Sequence, residues 1–126
     1  MSRVLRLLIV DDSGITRRRI ARLAVDKPIH TFEIVGEAEN GAIALAMARQ
    51  LKPDLVTMDL TMPVLDGVAC TLQLCRLLPQ ARVLIISALG SRGVALRAMA
   101  AGAHGFLYKP FTDAQLAQWM DEVVSP

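Results

Sequence analysis

Asp11, Asp12, Asp59, Ser87 and Lys109 each stand just behind a short apolar run, and together they could do chemistry. Asp11 and Asp12 follow residues 7–10, Asp59 follows Leu55–Met58, Ser87 follows residues 83–86, and Lys109 follows Gly105–Tyr108. Three carboxylates brought close together repel one another and resist full ionisation unless a cation joins them. With few protein ligands and room for water, Mg2+ suits such a cluster better than a fully caged Ca2+. A carboxylate so placed can act as a nucleophile and take up a phosphoryl group as an aspartyl phosphate. Phosphoryl transfer asks mainly for positioning and for neutralisation of the oxygens around phosphorus. A cation can take one oxygen, the Ser87 hydroxyl a second and the Lys109 ammonium a third. Asp59 is central and is the acceptor in this scheme, while Asp11 and Asp12 serve as ligands to the cation.

Each residue alone also has an ordinary explanation. An Asp behind a strand is commonly a turn former or a cap, Ser87 can simply end a strand, and Lys109-Pro110 can be a turn. Their joint placement is harder to explain that way, and it depends on the elements that carry them. Val4–Val10 is apolar but for Arg6, residues 83–86 and Leu55–Met58 are nearly continuous apolar runs, and Gly105–Tyr108 is a fifth strand. Residues 33–38, EIVGEA, read as a shorter outer strand. Runs without alternation suit strands covered on both faces, as in a parallel sheet.

Helical patterns lie between the strands. Thr16, Ile20, Leu23 and Ala24 share one face of the first, with arginines between them. Asn40 is an N-cap for a second helix that runs through Leu51 and stops before Pro53. Asp66 or Gly67 opens a third, ending near Pro79, and residues 91–101 form a fourth, stopped by Gly102. Thr112 with Gln115 makes a capping box for the last, where Leu116, Met120, Val123 and Val124 mark the buried face. The order β-α, repeated to five strands and five helices, predicts a doubly wound α/β sheet of parallel strands. In such a sheet ligands bind beyond the carboxyl ends of the strands. The acidic, hydroxyl and ammonium residues therefore meet at one edge, with Glu37, Glu39 and Asn40 to the side.

Composition sets outer bounds. The 126 residues suit one domain with one core, and 53% hydrophobic against 21% charged content suits a folded chain. The net charge is only +2, and Arg17, Arg18, Arg19 and Arg22 form its basic cluster. We read that cluster as a solvated helix face, because nucleic-acid binding wants a larger basic surface. No apolar run approaches the roughly 20 residues that span a bilayer, and no signal-peptide pattern opens the chain. The expectation is a cytoplasmic protein without nucleic-acid or membrane partners. Cys70 and Cys75 fall on different sides of one helix, so a disulfide between them would distort it, and both read as reduced packing residues.

Four stretches carry a family resemblance: LLIVDDS at residues 7–13, DLVTMDLTMPVLDG at 54–67, VLIISA at 83–88 and AGAHGFLYKPF at 101–111. They resemble the receiver domains of bacterial response regulators, and in length the stand-alone CheY-like chemotaxis type. The resemblance spans nearly the whole chain and implies one receiver domain over residues 1–126, with strand order 2-1-3-4-5. It implies Asp59 as phospho-acceptor, with Asp11, Asp12, Asp59 and the main-chain carbonyl of Thr61 holding Mg2+. Ser87 and Lys109 would contact the phosphoryl group, beside a small Ala88, and Lys109-Pro110 would be cis. Phe106 would be the aromatic that turns inward as Ser87 moves, without the hydroxyl that a tyrosine would bring. Thr61 and Leu89 would hold the positions that tune phosphoryl lifetime in that family. The readout face would be the fourth helix, fifth strand and fifth helix, with Arg92, Ala95, Met99, Tyr108 and Trp119 on it; capping of the core edge is the other role open to Trp119. Implied partners are a histidine kinase or phosphotransfer protein and a downstream protein, with homodimerisation on phosphorylation.

Three other readings remain beside this one. Haloacid-dehalogenase-type phosphatases also use a strand-end Asp with Mg2+, but want a second Asp two residues on, where this chain has Thr61. A flavodoxin-like binding module wants a phosphate-cradling loop where Asp11 and Asp12 would repel phosphate. The third is a receiver that forms part of a longer regulator with a DNA-binding or enzymatic output.

Overall fold

Strands and helices alternate without a break: β1 (Val4–Val10), α1 (Gly14–Asp26), β2 (Thr31–Ala38), α2 (Gly41–Leu51), β3 (Leu55–Met58), α3 (Gly67–Leu77), β4 (Arg82–Ser87), α4 (Arg92–Ala100), β5 (Gly105–Tyr108) and α5 (Asp113–Val124). The computed structural model describes residues 3–88 and 92–126. The expectations placed on Leu89, and on Ser91 as the start of the fourth helix, lie outside the described residues.

The strands form a single parallel sheet in the order β2-β1-β3-β4-β5. Successive side chains of a strand point to opposite faces, and both faces here are covered. Leu5, Leu7 and Ile9 of β1 pack with Ile20 and Leu23 of α1 and with Leu116, Met120 and Val123 of α5. Leu8 and Val10 pack on the other side with Ala44 and Ala48 of α2, Cys70 and Leu74 of α3, and Ala98 of α4. That double burial is why β1 and β3 show no polar alternation.

Local signals start the helices. Ser13, Asn40 and Asp66 accept from backbone N–H groups as N-caps of α1, α2 and α3. Thr112 and Gln115 complete the capping box of α5. β2 begins two residues before the expected start, because Thr31 and Phe32 pair with Val4 and Leu5 and Phe32 is buried. It is an edge strand, as expected, and its register on β1 shifts between Leu7 and Leu8. β4 gains Arg82 and Ser87 at its ends through pairing with Leu55 and Tyr108. Both cysteines are free thiols on α3, Cys70 buried and Cys75 partly so.

Candidate functional site

The carboxyl edge of the sheet gathers the acidic residues because β1 and β3 are neighbours. The Asp59 N–H donates to the carbonyl of Val10 at 2.9 Å, and the Asp11 N–H donates to that of Ala38 at 3.0 Å. The two aspartates are thereby drawn together at the ends of adjoining strands. Asp11 is 1% exposed and Asp59 5%, whereas Asp12 is exposed. Carboxylate oxygens of Asp11, Asp12 and Asp59 all lie within 4.8 Å of one another.

Cation and N–H donors meet these carboxylates. Lys109 Nζ lies 2.9 Å from Asp11 Oδ2 and 3.8 Å from Asp59 Oδ1. The Ser13 N–H donates to Asp11 Oδ1 at 2.9 Å. Burial, and then the charge of Asp11, push the Asp59 carboxyl up to about 6; Lys109 and a hydrogen bond from the Thr61 N–H pull it back, and Asp12 adds to the rise. Every donor atom in the cluster is a carboxylate oxygen. Such a set fits a small hard cation, which would relieve the repulsion that Asp59 feels from Asp11 and Asp12.

The neighbouring strand ends complete the site. Ser87 is buried at the end of β4, and its carbonyl accepts from the Lys109 N–H at 2.9 Å. The Lys109-Pro110 bond is cis. Ala88 and Thr61 are exposed beside them. Phe106 is half-buried and lies tilted against Tyr108, ring centroids 4.8 Å apart.

The residues expected on the readout face lie on α4, β5 and α5. Met99 and Tyr108 are 45% and 46% exposed, and Arg92 is exposed. Ala95 is half-buried. Trp119 is half-buried and lies over Gly105, where a Cβ would meet its ring at 2.9 Å.

Two features escaped the sequence reading. In the sequence Gly67 reads only as a helix start. A Cβ there would lie 2.2 Å from the carbonyl oxygen of Asp59, so α3 can approach the acidic strand end only without one. The run Asp66-Gly67 was the available signal. The arginine cluster is also not one solvated face. Arg18 and Arg22 are exposed, but Arg17 donates to the carbonyl of Asp11 and Arg19 to that of Phe111. Arg19 also stacks over the Phe111 ring at 4.3 Å.

Residues 7–121 match the response regulator receiver domain family. The chain belongs to that family. The receiver is 42% identical over 106 residues to chemotaxis protein CheY of Bacillus subtilis, an alignment covering 84% of this chain and 86% of that protein. It is 38% identical over 122 residues to a protein-glutamate methylesterase/protein-glutamine glutaminase of Photobacterium profundum, covering 95% of the receiver and 30% of that protein. Among solved structures it resembles a chain of the CheX-CheY-BeF3-Mg2+ complex from Borrelia burgdorferi. The TM-score is 0.90 at 31% identity, with 97% of the receiver and 90% of that chain covered. The described helices of the receiver include none long and apolar enough to cross a membrane.

Proposed function

We propose that this receiver accepts a phosphoryl group on Asp59 from a phosphohistidine donor, a histidine kinase or phosphotransfer protein, with Mg2+ as cofactor. The observation that carries the reading is the placement of Asp59: a buried carboxylate at the end of the central strand, grouped with two more carboxylates and 3.8 Å from an ammonium. Asp11, Asp12, Asp59 and the main-chain carbonyl of Thr61 would hold Mg2+, which supplies charge neutralisation for the nucleophile and the transferred group. With its pKa at about 6, Asp59 is mostly ionised at neutral pH even without a cation, as a nucleophile must be. Lys109 and the Ser87 hydroxyl hold phosphoryl oxygens, and exposed Ala88 leaves a path for a donor or a water.

The new charge at Asp59 acts as a switch by biasing Ser87 and the Phe106 ring. The change reaches a downstream protein through Arg92, Ala95, Met99, Tyr108 and Trp119, or a second copy of the chain. The receiver turns over no separate substrate; its chemistry is self-phosphotransfer and hydrolysis of its own aspartyl phosphate.

Acetyl phosphate with Mg2+ is expected to add one phosphoryl group to the intact mass, and Asp59→Asn to add none. Rapid hydrolysis is checked by binding of beryllofluoride. A wild-type chain that forms no adduct and binds no beryllofluoride would overturn the proposal. The methylesterase relative favours a second reading, in which the same receiver regulates a further domain of a longer chain. The mass of the protein in its native cells separates the two.

A further inference from the structure

Arg17 sits where its charge alone would be a disadvantage. Its Nη1 donates to the main-chain carbonyl of Asp11 at 2.7 Å and its Nε to Glu37 Oε1 at 3.2 Å. Its side chain is only 21% exposed. It folds back over the start of α1, where a Cβ on Gly14 would lie 3.5 Å from Arg17 Nη2. The guanidinium thus bridges the ends of β1 and β2 at the rim of the acidic cluster.

The carbonyl it holds belongs to the peptide unit between Asp11 and Asp12. That unit is rigid and planar, so fixing its oxygen restricts ψ of Asp11 and φ of Asp12. The direction in which Asp12 leaves the backbone follows. Asp11 has further restraints, from Ala38, Ser13 and Lys109. Asp12 is exposed, and no hydrogen bond among the described residues holds its carboxylate. Its aim therefore depends on the backbone.

We infer that Arg17 is a positioning residue for the cation site: it sets the Asp11–Asp12 peptide so that the Asp12 carboxylate is already aimed at the ion. This rests on the Mg2+ reading given above. Coulomb's law alone argues the other way, because a guanidinium beside a cation site repels the cation and its loss should tighten binding. Positioning predicts weaker binding on its loss, since groups that orient metal ligands commonly change affinity about 10–100-fold.

The test is a Mg2+ titration of the 15N-labelled full chain followed by amide chemical shifts, with the thermal midpoint of the metal-free protein measured alongside. Arg17→Ala is expected to raise the Mg2+ Kd about 10-fold. Arg17→Lys, a point donor that reaches one acceptor at a time, should fall between. Glu37→Gln keeps an acceptor for Nε and should stay near wild type. An Arg17→Ala chain with a native spectrum and unchanged or tighter Mg2+ binding overturns the inference, whatever its thermal midpoint, and leaves the Mg2+ reading standing. If Arg17→Ala does not fold, Arg17→Lys decides, and wild-type affinity there overturns the inference. A wild-type chain without saturable Mg2+ shifts overturns the inference and the Mg2+ reading together.

Discussion

Asp59 has two demands placed on it that pull apart. Its depth at the end of β3 protects it from bulk water, yet burial first and the charge of Asp11 second make its ionised form costly. Its folded pKa of about 6 lies above the ordinary 3.8, so the folded chain holds this proton more tightly than the unfolded chain. The stability this contributes is complete below the unfolded value and is lost as pH rises through about 6. Above that, the bare carboxylate destabilises the metal-free fold. Asp59→Asn should therefore stabilise the protein in EDTA at pH 7.5 by about 2–3 kcal/mol. The gain should shrink toward zero near pH 4. Denaturant unfolding of both chains at the two pH values checks this; a variant no more stable at pH 7.5 would contradict the raised pKa. Cys70 shows the same physics without the function: burial pushes its thiol up to about 12, which suits a packing residue.

Between elements, β3 and α3 meet closely at Gly67. The Gly67 N–H donates to the carbonyl of Leu60 at 3.0 Å, and the missing Cβ of Gly67 lets Asp59 and α3 touch. In the chain between them, Val64 has φ 72 and is 80% exposed, at the centre of a turn in which the Leu65 N–H donates to the carbonyl of Pro63 at 2.9 Å. A β-branched residue in the left-handed region costs about 1–2 kcal/mol, and asparagine tolerates that region better. Val64→Asn should raise stability by about 1 kcal/mol, read as a higher urea midpoint at unchanged slope. A fall in the midpoint would show that the valine side chain stabilises the loop by a contact of its own.

Across the whole molecule, the sheet separates two cores, and the site lies on the edge where both end. The layer of α1 and α5 holds β1, β3 and β5 from one side, and Trp119 and Val123 close its margin over Gly105. The two roles open to Trp119, core cap and readout residue, are compatible in this position, half-buried on the proposed readout face. Trp119→Ala should cost about 2–3 kcal/mol, below the full cost of a buried aromatic, while leaving Asp59 able to accept a phosphoryl group. Intact-mass phosphorylation beside thermal unfolding separates the effects. Loss of phosphorylation in a chain that still folds would mean that this margin also shapes the acidic edge.

Read by itself, the sequence determined the kinds of element, their order and their caps. Those depend on neighbours: apolar runs too dense for one-sided strands, Asn40, Asp66 and Thr112 before helices, Gly102 after one. It also marked Asp11, Asp12, Asp59, Ser87 and Lys109, since each stands at the end of a run. The strand order came from family resemblance, because periodicity along the chain does not say which strands are neighbours. Only the tertiary structure decided what depends on residues far apart in sequence. Thr31 and Phe32 join β2 because Val4 and Leu5 lie opposite them. Gly67 must lack a side chain because the carbonyl of Asp59 fills its place. Arg19 is half-buried because its acceptor on Phe111 stands 92 residues along the chain, while Arg18 and Arg22 on the same helix face solvent. The raised pKa of Asp59 belongs to this second group, because it comes from burial and from a carboxylate on another strand.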